Sequence, residues 1–512
     1  MDVLTQIQRL INIKKSFINV LANIGYAVST FQEIISSIEN HKQGDLDKSL
    51  MSALTAEDEA VRMDESVYDL YERLFAHNET LLSSIDTLAS KSFYETNLVY
   101  FKSKPCNAAI NDAFNSCRSL MFAELDQATD CTTLNFTFRR CSNLVAVELP
   151  PSLDKCKDLL YTFSICTSLR KVNLPKQLPV CTSMSHIFEN CRNLDIDIEF
   201  TYLPKVNSMQ NSFSGCSSLS SVTLPTEMHA LTKMHSAFSG CSSLSSVTLP
   251  TEMPNVTSLD SAFSGCRSLS SVTLPTEMPN VTSLGSAFSG CSSLSSVTLP
   301  TEMPNVTSLG SAFYGCSSLS TPLDIDCTNV LVIKTCNIFS DCKNIPSLTL
   351  HSTANIHNFS YFIYNCTSLT SVTGLDLSNA FLSVDEVKQV AAANKFTISD
   401  ADAETVYRRT SWMGCTQTNT KLTNMPLQGT LYRSGFSIAS SPLTAESLYT
   451  WFVALYDWTN NTEAKTTDDT THTLTVNATS LANMQEYVPD DGVSGEEIYL
   501  QAIEKGWIIQ TT

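Results

Sequence analysis

The fold class that the sequence predicts is an α/β solenoid, in which about eleven coils of roughly 25 residues stack on one another. The first observation is a repeat, because the segment SSLSSVTLPTEM begins at Ser217, Ser242 and Ser292, and at Arg267 with one change. The second is that looser copies with the pattern F-x-x-C-x-x-L recur every 24 to 26 residues. Their cysteines are Cys117, Cys141, Cys166, Cys191, Cys216, Cys241, Cys266, Cys291, Cys316, Cys342 and Cys366. A fixed period of this length is typical of solenoids, because one unit cannot bury its own apolar side.

Within each coil the spacing of apolar residues predicts a short strand followed by a helical turn. Residues 271–274 alternate polar and apolar side chains, which is the period of a half-buried strand. Pro275 lacks a backbone donor and ends the strand. The next apolar residues, Val281, Leu284 and Phe288, are spaced as on a helical turn, so the coil is predicted to close after about 25 residues.

The repeated phenylalanine and cysteine of each coil are predicted to form the core. In the most regular copies these residues are Phe213, Cys216, Phe238, Cys241, Phe263, Cys266, Phe288, Cys291, Phe313 and Cys316. The phenylalanines share one position of the repeat and the cysteines share another. Each type should therefore stack on the same side of successive coils.

The eighteen cysteines are interpreted as buried free thiols, with disulfides or metal ligands as the alternative. A second set, Cys106, Cys131, Cys156 and Cys181, is replaced in later copies by valine, leucine or isoleucine. A position that exchanges with these residues uses cysteine as a small hydrophobe. The spacing also lacks the C-x-x-C pairs of zinc sites, so no metal and no cofactor is predicted. Cys327, Cys336 and Cys415 lie outside both sets.

Three regions are predicted: a helical N-terminal region over 1–104, the solenoid over 105–374 and an α/β capping region over 375–512. Apolar residues at helical spacing in the first region fit either a cap on the first coil or an oligomerisation module, and both remain open. In the last region a helix is predicted from about Leu443 to Tyr456 with Thr444 as its cap, then a strand over 472–476 and a helix over 496–504.

Charge and motifs exclude several classes of function. A net charge of -19 without a basic stripe is unsuited to nucleic-acid binding. No phosphate-binding loop, nucleophile elbow or dinucleotide fingerprint occurs, so no catalytic residue is predicted and the protein is expected not to be an enzyme. The alternating acidic residues of 195–199 and 324–326, and the histidine pair His229 and His235, are interpreted as solvated side chains rather than metal ligands.

The start of the chain predicts neither a signal peptide nor membrane insertion. Asp2 stands where a signal peptide would carry positive charge, and polar residues interrupt the apolar run that follows. No stretch approaches eighteen uninterrupted apolar residues.

The repeat resembles the leucine-rich repeat superfamily. More narrowly it is similar to the BspA-type repeats of bacterial and protist surface proteins, whose units share the signature A-F-x-x-C-x-x-L-x-x-V/I-x-L/I-P. The resemblance covers about residues 105 to 374 and implies a solenoid that serves as a scaffold for binding.

Both ends of the chain are similar to phage proteins. The segment 13–17, followed by Leu21, Gly25 and 31–34, is similar to the opening of many phage tail and virion proteins. The order L-T-x-E-S-L, H-T-L-T-V and A-x-x-K-G-W after residue 442 looks like the closing module of leucine-rich-repeat proteins from phages of gut bacteria. These resemblances imply a virion protein whose solenoid is capped by an enlarged last coil.

Three functional hypotheses follow. The first is a virion component, a tail or head fibre that binds a host surface protein or glycan, is attached to other virion proteins through its N-terminal region and is a homo-oligomer. The alternatives are an extracellular or cell-surface adhesin and an intracellular scaffold. Identical coils carry little specificity, so the predicted binding surface lies in the irregular early coils. Its residues are Arg139, Arg140, Tyr161, Arg170 and Tyr202.

Overall fold

The computed structural model describes most of the chain between residues 86 and 512. The described residues are 81–83, 86–101, 109–300, 303–330, 337–351, 361–377, 419–429, 436–455, 472–490 and 492–512, together with 106, 353, 356, 359, 385, 388, 389 and 392. Residues 1–80, which make up most of the N-terminal region predicted to be helical over 1–104, lie outside this set.

The repeat region is a parallel solenoid in which each coil contributes one short strand. Paired residues hold the same position in successive copies of the repeat. Val272, for example, pairs with Val297. The strands are β1 Tyr100–Phe101, β2 Phe122–Glu124, β3 Ala146–Glu148, β4 Lys171–Val172, β5 Ile198–Glu199, β6 Ser221–Thr223, β7 Ser246–Thr248, β8 Ser271–Thr273, β9 Ser296–Thr298, β10 Leu323–Asp326, β11 Ser347–His351 and β12 Ser371–Thr373. They form sheets in the order β1-β2-β3-β4, β5-β6-β7, β8-β9 and β10-β11-β12. The predicted stacking of coils is confirmed.

A column of phenylalanine rings runs through the core of the solenoid. From Phe114 to Phe339 the rings of successive coils lie nearly parallel, with centroids 5.0 to 5.9 Å apart. Each ring therefore fills the space between two coils and contacts both neighbours. Phe213, Phe238 and Phe263 have no exposed surface, and the paired cysteines Cys216 and Cys241 are equally buried. Each ring buries a large apolar area and therefore contributes strongly to the stability of its coil.

The segment predicted as a helical turn is a turn without an α-helix. It contains two residues with positive φ, such as Ser286 at 54° and Gly290 at 73°, which a right-handed helix does not accommodate. Alternate amides donate to the next coil instead of along the segment, as Phe263 N does to Ala287 O at 2.8 Å. The remaining amides close turns of four residues, as Cys266 N does by donating to Phe263 O at 3.1 Å. This second ladder of hydrogen bonds, parallel to that of the strands, is what the prediction missed.

The repeated cysteines form a ladder of thiol hydrogen bonds. The Cys291 thiol donates to the carbonyl oxygen of Phe263 in the preceding coil at 3.0 Å, and Cys266 donates to Phe238 at 3.1 Å. The same bond recurs from Cys117 through Cys366. Cysteine is therefore both a small buried side chain and a donor to a buried carbonyl group, which valine could not be.

We expect the thiols of Cys216, Cys241, Cys266, Cys291 and Cys316 to resist a thiol reagent in the native protein and to react together in denaturant. Burial raises the pKa of each thiol, for Cys291 to about 12, so the reactive thiolate is scarce. Labelling followed by peptide mass mapping measures this. Rapid native labelling, or disulfide-linked peptides, would contradict it.

The same thiols predict a loss of stability at alkaline pH. Their pKa is raised above the ordinary 9.0 in the folded chain, so above that pH unfolded thiols release protons that folded thiols retain. The contribution of these thiols to the free energy of unfolding should therefore be constant below about pH 8 and fall as the pH rises through 9. Urea titrations across this range measure the change.

The first described coil lies within the range assigned to the N-terminal region. Leu88 forms a parallel bridge with Cys106, and β1 pairs with β2. The Phe93 ring stacks on Phe114 with centroids 5.5 Å apart. The column of rings thus begins before residue 105, and Thr96 takes the place of the coil's cysteine, with its hydroxyl 3.5 Å from the Cys117 sulfur.

The C-terminal region continues the parallel arrangement and adds helices. Strands β13 Leu375–Leu377 and β14 Leu427–Gly429 pair, as do β15 Phe436–Ser437, β16 His472–Val476 and β17 Trp507–Thr511. Helices α1 Ala445–Val453, α2 Ala478–Gln485 and α3 Gly495–Glu504 pack together. Thr444 caps α1 as predicted, by accepting a hydrogen bond from Ser447 N. The strand 472–476 and the third helix are also confirmed, whereas α2 and β17 were not predicted.

Candidate binding surface

Three side chains stack along the turn face of consecutive early coils. The Phe136 and Tyr161 rings lie 5.1 Å apart, and the Tyr161 and His186 rings lie 4.1 Å apart, all nearly parallel. Each occupies the first positive-φ residue of its turn, which directs the side chain away from the core column. We call Phe136, Tyr161 and His186 the aromatic stripe. All three are partly exposed.

The Arg139 guanidinium lies over two rings of the aromatic stripe. Its central carbon is 5.6 Å from the centroid of Phe136 and 5.2 Å from that of Tyr161, within range of a cation–π interaction. The Nε atom of Arg139 is buried and has no hydrogen-bond partner. Arg140 follows in a positive-φ conformation and is exposed. The two arginines thus belong to the same turn as Phe136.

Two carboxylates near the aromatic stripe form hydrogen bonds within the protein. Glu189 Oε2 accepts from the Ser164 hydroxyl at 3.2 Å and lies 3.1 Å from His186 Nδ1. Asp112 Oδ1 accepts from Asn115 Nδ2 at 2.6 Å. By contrast, neither Arg139 nor Arg140 forms an ion pair among the described residues.

Only part of the predicted binding surface is brought together. Arg139, Arg140 and Tyr161 lie on the turn face of adjoining coils. Arg170 immediately precedes β4, on the strand side of its coil. Tyr202 is 50% exposed. It forms a parallel β-bridge with Gln177, in a third row of contacts between neighbouring coils. The five residues therefore do not form one surface.

Phe136 and His186 were missed by sequence reasoning, although a signal was available. Both stand five residues before the repeated cysteine of their coil, as Tyr161 does. Alignment on Cys141, Cys166 and Cys191 places the three in one column.

The regular coils carry rows of hydroxyl groups instead of rings. At the position of the aromatic stripe they have serine, namely Ser236, Ser261, Ser286 and Ser311. Other polar side chains are bonded between coils, as Asn280 Nδ2 is to Pro254 O at 2.8 Å and Thr282 Oγ1 is to Thr257 O at 3.0 Å. The repeated Asn-x-Thr triplets are thus part of the stacking contacts.

The remaining polar candidates are pairs rather than clusters. His229 Nε2 lies 3.2 Å from Glu252 Oε2, and His351 pairs with Asp324. Across the described part of the chain, no group of three or more histidine, cysteine or acidic residues could hold a metal ion. No helix in that part is both long and apolar enough to cross a bilayer.

The stacked parallel strands, the one-coil register and the phenylalanine column define a leucine-rich repeat solenoid. The chain belongs to the BspA-type leucine-rich repeat family, whose region of repeats matches residues 69–195, 134–266, 207–331 and 258–383. No curated protein matches the chain significantly.

Three of the solved structures to which the chain is similar are leucine-rich repeat proteins of bacteria. One from Bacteroides ovatus is 20% identical, with 54% of this chain and 80% of that chain covered and a TM-score of 0.26. One from T. pallidum is 25% identical, with 39% and 78% covered and a TM-score of 0.26. A leucine-rich cell surface protein from Faecalibacterium prausnitzii is 18% identical, with 52% and 84% covered and a TM-score of 0.24.

Proposed function

We propose that the protein is a non-enzymatic adhesion protein whose solenoid contacts a cell surface through the aromatic stripe and Arg139. The observation that carries this proposal is the position of the stripe. Rings and arginines occur where the coils differ from one another, whereas four nearly identical coils place serine at the same position.

The composition of this surface supports recognition. Arginine, tyrosine and the other aromatic residues are enriched at protein interfaces, whereas serine is depleted. The stacked rings are rigid, so little conformational entropy is lost when a partner binds. Family membership supports adhesion independently, because BspA-type proteins are typically found at the cell surface or outside the cell.

We further propose that the protein is a virion component, a tail or head fibre that binds the host surface. The support is the resemblance to phage proteins of the sequence motifs within residues 13–34 and after residue 442. In this proposal the N-terminal region attaches to other virion proteins and makes the chain a homo-oligomer, while the solenoid carries recognition.

Serine substitutions in the aromatic stripe test the adhesion proposal. Tyr161→Ser and His186→Ser introduce the residue that regular coils hold at the same backbone position, so folding should be retained. Together they should lower binding to host cells by roughly tenfold or more, because interface aromatic residues contribute most of the binding energy. The matched control is Tyr314→Ser, which removes a tyrosine that is 42% exposed in a regular coil. Equal losses from both changes, measured by flow cytometry of labelled protein, would refute the proposed surface.

A truncated chain beginning at Asp86 tests whether the N-terminal region carries assembly and the solenoid carries recognition. It keeps the coil that contains Phe93, which a cut at Pro105 would remove. By light scattering it should be a monomer, whereas the full chain should self-associate. Retained cell binding by the truncated chain is expected, and an oligomeric truncated chain would contradict the assembly role of the N-terminal region.

A cell-surface adhesin is the second candidate, and family membership favours it. Immunogold labelling with an antibody to the solenoid separates the two. Label on purified virions supports the virion proposal, whereas label on the envelope of uninfected cells supports the adhesin.

A further inference from the structure

We propose that Arg139, Arg140 and Tyr161 form a site for the anionic groups of an acidic polysaccharide. This inference rests on the adhesion function proposed above and names the class of ligand. It concerns one end of the aromatic stripe, where two arginines accompany the rings.

Arg139 is preorganised for binding. Its guanidinium is held over Phe136 and Tyr161, so the side chain loses little freedom when it binds a partner. A planar guanidinium donates two parallel hydrogen bonds to a carboxylate, sulfate or phosphate group. An arginine fixed in this way, and not neutralised by a carboxylate of the described residues, is suited to such a group.

The site also contains hydrogen-bond donors without a partner. The Tyr161 hydroxyl forms no hydrogen bond with a described residue, and the guanidinium groups of Arg139 and Arg140 have no carboxylate partner there. Glu189 and Asp112 nearby each accept a hydrogen bond from a neighbouring side chain of their own coil or an adjacent one. Arginine and tyrosine donors without a partner suit a ligand group that is rich in acceptors.

The regular coils lack this combination of two arginines and an aromatic ring. At the positions of Arg139, Arg140 and Phe136 the coil ending at Cys266 holds Ser264, Gly265 and Ser261. The net charge of -19 gives no general attraction for polyanions, so any binding must come from a local site. Acidic polysaccharide, rather than free anion, is the ligand because the ring edges of the stripe provide apolar contact beside the donors.

The experiment measures binding of the full chain to three polymers by biolayer interferometry. Polygalacturonate presents carboxylates, dextran sulfate presents sulfates, and dextran is the neutral control. Binding to either acidic polymer and not to dextran is expected, and the better of the two identifies the anionic group. Equal binding to dextran, or no binding to either acidic polymer, overturns the proposal.

Variants separate a site from general adhesion to polyanions. Arg139→Ala combined with Arg140→Ala should weaken binding roughly ten- to a hundredfold, the effect of losing hydrogen bonds to a charged group. Arg139→Lys retains the charge and the packed stem and should still weaken binding several-fold, because the planar pair of donors is lost. Arg267→Ser removes one charge from an exposed position where other coils hold serine, and should leave binding unchanged. An effect of Arg267→Ser as large as that of Arg139→Lys overturns the proposal.

Failure of this inference is distinguishable from failure of the proposed function. Host-cell adhesion that survives the double arginine substitution, with no binding to acidic polymers, leaves adhesion intact and refutes the anionic ligand. Polymer binding that depends on Arg139, in a protein that does not adhere to cells, supports the site and refutes the function.

Discussion

Replacing Phe263 by alanine will lower the free energy of unfolding by about 3–5 kcal/mol, the usual cost of truncating a buried aromatic residue. The ring has no exposed surface and stacks on Phe238 and Phe288, with centroids 5.4 and 5.6 Å away. Its removal leaves a cavity that two coils share. Urea unfolding followed by circular dichroism measures the loss.

Two comparisons make this result specific to the ring column. Phe238→Ala and Phe288→Ala should cost about as much, because each ring has the same neighbours one coil along. Ser268→Ala, at an exposed position of the next coil, should change stability by less than about 0.5 kcal/mol. A cost below about 1 kcal/mol for Phe263→Ala would show that the rings do not fill the space between coils.

Deleting the whole unit 267–291 will leave a folded and shorter solenoid. The deletion joins Cys266 to Ser292, so the coil that contains β9 takes the place of the coil that contains β8, which contacts β7. The Cys316 thiol, which donates to Phe288 O, would then meet the carbonyl of Phe263. Because each coil contacts only its neighbours, every interface that the deletion removes is replaced by an equivalent one.

Deleting only 267–278 is the matched contrast and should unfold the surrounding coils. It removes β8 together with the buried Leu269, Leu274 and Met278, each of which accounts for roughly 2–5 kcal/mol. The residues that remain are too few to return the chain to the next strand. Thermal melting compares the two proteins, and similar melting temperatures would show that the units do not stack as coils.

The sequence predicted the coils and strands well because burial alone determines their pattern. Val272 and Val297 alternate with polar residues, and the strands that contain them pair in the register of the repeat. The turn was predicted incorrectly for a physical reason. Val281, Leu284 and Phe288 have the spacing of one helical turn, and apolar spacing does not reveal whether an amide bonds within its segment or to the next coil. That choice depends on the positive φ of Ser286 and Gly290.

The candidate surface was predicted in part because residue type carries only part of the information. Arg139 and Tyr161 were recognised as residues suited to binding, and they lie in contact. Arg170 and Tyr202 are of the same types but occupy other sides of the coil. The donor role of the cysteines was also missed, although its signal is visible. The position that bonds to the phenylalanine carbonyl is cysteine in all eleven copies recognised from the sequence, whereas the second set of cysteines exchanges with valine, leucine or isoleucine.

The direction of the hydrogen bonds between coils has a mechanical consequence. Bonds such as Phe263 N to Ala287 O connect one coil to the next, so a force applied along the stack loads them one after another rather than together. A stretched chain should therefore yield at low force and lengthen in steps of one coil, each releasing 25 residues or roughly 80 Å of chain. Single-molecule extension would record steps of equal length over the four regular coils. Under repeated force the solenoid would unfold and refold single coils, while the coils at either end stay folded.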